Sequence, residues 1–234
     1  MKQIFIISIL LVMAFSVFSQ NGTQTPTLDT IKAVSAADNQ KAEKIYNEGI
    51  VLFQQRKLDE AITKFDEAIK IKPNFAKAYF NRGSVKADQK KYTEAISDYN
   101  MSILLESNAK AYFSRGLIRY ELKDYDGALS DFNACVKAND AELKAQAYYY
   151  AGCVNFDLQK YEEAVKCFDK SISINQEDAD AWLNKGVALE KTGKNKEAIE
   201  AYKKALALAE KQGLSELAKE IQKALKKISE KEKH

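Results

Sequence analysis

Histidine is almost missing from this chain, and its absence removes whole classes of chemistry before any motif is sought. The one histidine is the terminal His234. Without an internal imidazole no Ser–His–Asp or Cys–His arrangement can be assembled, and no Gly-rich phosphate loop occurs. The three cysteines, Cys135, Cys153 and Cys167, contain no Cys-x-x-Cys pair, so zinc ligation lacks its usual donors as well. Paired carboxylates such as Glu162-Glu163 do occur, but at polar turns where solvated charge is the ordinary reading. Proline is nearly as scarce, with only Pro26 and Pro73, which leaves long stretches open to uninterrupted helix. Nor is there an excess of charge of one sign. The 36 basic and 33 acidic residues are interspersed, giving a formal charge of +3, whereas a nucleic-acid groove needs basic side chains concentrated on one face. The chain is therefore expected to be no enzyme, to hold no cofactor or metal, and to bind no nucleic acid; no small-molecule ligand is indicated.

Long apolar runs are lacking too, with one exception. Lys2 is followed by Ile4 to Phe18, interrupted only by Ser8 and Ser16, and then by the polar stretch Gln20 to Thr25. The run falls short of the roughly 20 apolar residues of a membrane span and has the pattern of a signal peptide. Val17 and Ser19 are small residues placed for cleavage after Ser19. Residues 1–19 are expected to be a cleaved signal peptide and 20–39 a flexible linker. The mature chain is then exported to the periplasm or cell surface, with no membrane contact beyond export. Export would expose the cysteines to oxidation, and their odd number leaves at least one thiol unpaired. A Cys135–Cys153 disulfide stays open, although small buried core residues are the preferred reading.

What is present in quantity is repetition. Glycine recurs at Gly49, Gly83, Gly116, Gly152 and Gly186, in steps of 34, 33, 36 and 34 residues. Twelve residues after each comes alanine: Ala61, Ala95, Ala128, Ala164 and Ala198. Four further on stands a ring: Phe65, Tyr99, Phe132, Phe168 and Tyr202. Four before each glycine is a bulky residue: Ile45, Tyr79, Tyr112, Tyr148 and Trp182. Each unit divides into two amphipathic stretches around a polar turn, at Arg56–Asp59, Lys90–Thr93, Lys123–Asp126, Gln159–Glu162 and Gly193–Lys196. Asp59, Thr93 and Asp126 are placed to cap the second stretch. Glycine and alanine fit where two helices cross closely, because a larger side chain would push them apart.

A bulky residue, a small one four later, then alanine, an aromatic ring and often proline make up a pattern that resembles the tetratricopeptide repeat family, over residues 40–211. The resemblance implies an all-α fold, a right-handed superhelical solenoid of five helix-turn-helix repeats at about 42–75, 76–108, 109–144, 145–178 and 179–211. The closing proline survives only as Pro73; Ser107, Asp140, Gln176 and Glu210 stand at the later positions. A further amphipathic stretch at 213–230, with Leu217, Ile221, Leu225 and Ile228 on one face, reads as the capping helix that stacked repeats need. The family's carboxylate-clamping subtype is not predicted. Asn81 and Lys110 match its pattern, but Tyr46, Ile50 and Ser114 do not.

Two sets of residues remain once the repeat markers are removed. One covaries: Glu48 with Lys64, Arg82 with Asp98, and Arg115 with Asp131 carry opposite signs one residue before and fifteen after the glycine. The fourth repeat has the uncharged Ala151 and Cys167 there, and the fifth, Lys185 with Ala201, breaks the pattern. These are read as structural ion pairs within repeats. The other set lies on the first helices, which line the concave face in the family. Tyr46, Phe80, Phe113 and Tyr149 stand three before the glycine, Tyr120 and Phe156 four after it, with Asn81, Lys110 and Asn184 nearby. Asp157 is among the further polar candidates there. Rings of this kind supply large contact area with a polar handle. The expected function is a protein-protein interaction scaffold that binds a protein or peptide segment along this groove. The alternative is a structural envelope component joined through its convex surface.

Overall fold

The computed structural model describes residues 34–231. The expected signal peptide, 1–19, lies outside the described residues, as do positions 20–33 of the expected linker. The described residues form eleven helices: α1 (Ala36–Gln54), α2 (Leu58–Ile71), α3 (Ala76–Asp88), α4 (Tyr92–Leu105), α5 (Ala109–Glu121), α6 (Tyr125–Cys135), α7 (Ala141–Asp157), α8 (Tyr161–Ile174), α9 (Ala179–Lys191), α10 (Asn195–Lys211) and α11 (Ser215–Lys231). α1 starts inside the segment read as linker, because Ser35 accepts a hydrogen bond from the Asp38 N–H and caps the helix there. None of the helices among the described residues is long and apolar enough to cross a membrane.

Each marker residue has a packing reason. The aromatic ring of every second helix lies on the glycine of the first. A methyl group at Gly152 would stand 2.6 Å from Cε1 of Phe168, and one at Gly83 would stand 3.1 Å from Cε1 of Tyr99. The five alanines Ala61, Ala95, Ala128, Ala164 and Ala198 are fully buried beside those rings. The helices therefore meet at a spacing that only small residues permit.

The turns inside repeats differ from the sequence expectation. Asp59, Thr93 and Asp126 do not cap; they lie within the first turns of α2, α4 and α6. The cap positions are Lys57, Lys91 and Asp124, of which only Asp124 accepts a side-chain bond, from the Gly127 N–H. The reason is how the preceding helix stops. Arg56, Lys90, Lys123 and Gln159 adopt left-handed φ of 59–62°, and Gly193 takes φ 76° at the same register. The N–H of the next residue then reaches back five positions, as from Lys57 to the Leu52 carbonyl and from Lys91 to that of Lys86. That pairing satisfies the helix-end carbonyls in a three-residue turn, so the second helix begins before Asp59, Thr93 and Asp126 arrive. Glu210 likewise falls inside α10 rather than in a turn.

Neighbouring helices pack in sequence, and the odd-numbered helices α1, α3, α5, α7 and α9 also touch each other from repeat to repeat. The even-numbered helices make no comparable contact with one another. The stack therefore curves with its first helices on the inside. α11 closes the C-terminal end, with Ala218, Ile221 and Ile228 buried against Ala205, Leu208 and Ala209 of α10.

Candidate functional site

Within repeats, the covarying residues meet. Arg82 donates to Asp98 from Nε at 2.9 Å and from Nη2 at 2.5 Å, and Arg115 grips Asp131 with the same two distances. Both carboxylates are almost completely buried. Each has a second cation, Lys86 at 2.9 Å from Asp98 and Arg119 at 2.9 Å from Asp131. Burial on its own would lower the Arg82 pKa, but the bonds and charges of Asp98 and Asp66 outweigh it and raise it. Lys64 reaches Glu48 at 2.9 Å on a more exposed site.

Cations at this register also cross to the repeat before, which the sequence reading did not foresee. Arg82 Nη1 binds Asp66 at 2.5 Å, Arg115 binds Asn100, and Lys185 binds Asp169 at 2.6 Å. Each acceptor stands seventeen residues after its own glycine, a column that charge alone does not single out. The cations rest on the bulky ring three residues earlier, as Arg82 does on Tyr79 with 5.3 Å to the centroid. These side chains tie a first helix to the second helix of the repeat before it.

On the inner face, the rings three before each glycine sit against the buried ring of their own repeat. Phe80 packs on Tyr99 at 5.8 Å between centroids, Phe113 on Phe132 at 5.9 Å and Tyr149 on Phe168 at 5.9 Å. Tyr46 and Tyr149 are also braced across repeats. Asn81 donates to the Tyr46 hydroxyl at 2.8 Å, and Asn184 to that of Tyr149 at 2.9 Å. In the middle of the row Tyr150 replaces the asparagine and packs edge-on against Phe113 at 5.7 Å. Lys110 is exposed at the start of α5.

A cavity of about 230 Å³ opens on this face between α5, α7 and α9. It brings together Tyr120, Phe156 and Asn184 of the predicted set, with Cys153, Asp157, Val187 and Phe168. Tyr46, Phe80, Asn81, Lys110, Phe113 and Tyr149 do not line it. Tyr120 donates its hydroxyl proton to Asp157 Oδ2 at 2.8 Å, which fixes the ring at the rim. Burial, then that bond, raise the Tyr120 pKa. Burial likewise pushes the Cys153 thiol up to about 12, so it is a neutral apolar wall at physiological pH. Cys135, Cys153 and Cys167 are all free thiols. Cys153 and Val187 are the lining residues that sequence reasoning missed. Their register, one after the glycine, alternates among Ile50, Ser84, Leu117, Cys153 and Val187 and carries no chemical signature.

Family comparison agrees with this geometry. Models described as tetratricopeptide repeat match residues 76–108, 115–176 and 149–213, and one described as TPR repeat matches 49–90. No curated protein sequence matches the chain. Among solved structures, MamA 41-end from Desulfovibrio magneticus RS-1 is 22% identical with a TM-score of 0.68, covering 77% of this chain and 99% of its own. YrrB, a TPR protein with an unusual peptide-binding site, is 22% identical with a TM-score of 0.66, covering 82% and 100%. A tetratricopeptide repeat protein from Parabacteroides merdae ATCC 43184 is 21% identical with a TM-score of 0.69, covering 82% and 75%. With the glycine, alanine and ring markers packed on one another in five successive units, and family matches running from residue 49 to 108 and from 115 to 213, the chain belongs to the tetratricopeptide repeat family.

Proposed function

We propose that this protein is a non-enzymatic interaction scaffold, exported by its N-terminal segment to the periplasm or cell surface, that binds an extended segment of a partner protein along its first-helix face. The observation that carries the reading is the inner-face cavity, where three rings, an amide and a carboxylate from three consecutive repeats converge. Binding sites of this kind combine an apolar floor with a few placed polar groups. YrrB, with the same fold and a peptide-binding site, supports a peptide as the ligand class. The convex-assembly alternative draws no such support. The large exposed apolar residues Val51, Leu104, Leu122, Ile174 and Leu214 are spread over α1, α4, the turn after α5, α8 and the turn before α11.

The test compares partner recovery by the wild-type chain with recovery by a Tyr120→Ala, Phe156→Ala double variant, after circular dichroism has established that both are folded. Loss of partners from the variant is the expected result; equal recovery rejects the groove. Export is checked separately by the mass of the native protein, which should correspond to a chain beginning at Gln20.

A further inference from the structure

The cavity on the inner face is too small for a typical small-molecule site, which occupies roughly 300–1,000 Å³, but about 230 Å³ suits one long side chain. Its chemistry is two-sided. Phe156, Phe168, Val187 and the neutral Cys153 thiol form an apolar floor, while Asp157 stands at the rim beside the Tyr120 ring.

The surroundings are acidic. Asp178 and Asp180, at the start of α9, act on Tyr149 and raise its pKa after burial has done so. Asp157 and Asp178 act in the same sense on Cys153, and Asp178 and Glu220 on Asp180, in each case after burial. By contrast, the buried or bridging carboxylates Asp66, Asp98, Asp131 and Asp169 have basic partners. Among the described residues, none of the ion pairs includes Asp157, Asp178, Asp180 or Glu220. Asp157 holds only the Tyr120 hydroxyl and Asp178 caps α9 through the Ala181 N–H.

We infer that this pocket receives a lysine or arginine side chain from an extended partner segment, its aliphatic stem on Phe156 and Val187 and its cation on Asp157 beside the Tyr120 ring. Lysine and arginine have the shape this requires, an apolar stem ending in a charge. A cation over an aromatic ring gains further attraction from the ring face. The acidic residues around the pocket draw a basic segment toward it and disfavour an acidic one, which sets both encounter and choice of partner. This specificity rests on the groove reading above.

The two are separated by fluorescence polarisation with short labelled Gly-Ser peptides carrying one central lysine, arginine, norleucine or glutamate, titrated to millimolar protein. The lysine and arginine peptides should bind at least about tenfold more tightly than the norleucine peptide, a difference of the size that a charge-assisted bond provides. Asp157→Asn should remove most of that difference, while Glu163→Gln on the exposed face of α8 leaves it unchanged. Raising salt should weaken the basic peptides alone. Equal affinity of the norleucine and lysine peptides, both lost in Phe156→Ala, overturns the cationic specificity and leaves the groove standing. Tighter binding of the glutamate peptide, insensitivity of the lysine peptide to Asp157→Asn, or binding of none of the four overturns the inference. Binding that is indifferent to Phe156→Ala removes the groove as well.

Discussion

Repeats two and three fill the contact between their two helices with buried charge, whereas repeat four fills the same place with Ala151 and Cys167. The backbone solution is otherwise shared, with a ring on a glycine and a fully buried alanine in each. The difference teaches that the interface asks for volume and mutual satisfaction, and either chemistry meets it. Taking a charge pair out of water costs several kcal/mol, so such pairs contribute little net stability, yet removing one member strands the other. The charged repeats are thus the more fragile under single substitution without being the more stable.

The most damaging break should be Asp131→Ala, which leaves Arg115 and Arg119 facing a vacated site that is 1% exposed. A loss of about 3–5 kcal/mol is expected in urea unfolding. Next comes Gly152→Ala, where the new methyl group would lie 2.6 Å from Phe168. Overpacking should cost about 1–3 kcal/mol, whereas Gly83→Ala, at 3.1 Å from Tyr99, should cost clearly less because the same gain in helix propensity offsets a smaller clash. Equal costs at the two glycines would show that ring position is not what fixes the spacing. Replacing a charged pair as a whole is the milder experiment. Arg82→Met with Asp98→Leu should destabilise less than the sum of the two single changes, with a coupling of about 0.5–3 kcal/mol in a double-mutant cycle. Additive losses would mean that the pair does not act as a unit. The smallest effect is expected from Lys90→Gly. Its φ of 59° is the conformation that Gly193 adopts in repeat five, and relief of left-handed strain, about 1–2 kcal/mol, exceeds the added chain entropy of glycine. The melting temperature should rise slightly.

Much of this architecture is legible in the sequence because it is repeated. A glycine, an alanine and a ring in fixed register identify two helices crossing closely, and an opposite-signed covariation identifies which side chains meet between them. The turns were misread for a physical reason. Asp59, Thr93 and Asp126 have the chemistry of caps, but the left-handed residue that stops the preceding helix is arginine, lysine or glutamine in four repeats, types that give no sign of that conformation. The bonds of Arg82, Arg115 and Lys185 to the preceding repeat were hidden because their acceptors vary between Asp66, Asn100 and Asp169. The inner face was readable as a row of rings and no further. Phe80 and Phe113 pack on the buried rings of their own repeats, whereas Tyr120 and Phe156, although each meets Tyr125 or Tyr161 of its own repeat, also border the cavity, and periodicity alone does not separate the two.

The helix that ends the described stack has a consequence for what many copies of the chain do together. A solenoid whose last surface matched the surface each repeat offers its neighbour could add another molecule there, and growth of that kind is open-ended. α11 interrupts it by turning Ile221 and Ile228 inward and leaving Lys223, Lys226 and Lys227 in water. A second molecule docking on that surface would have to strip water from those ammonium groups without supplying partners for them. Stacking of a second molecule on the outer face of α11 is thereby opposed by hydration.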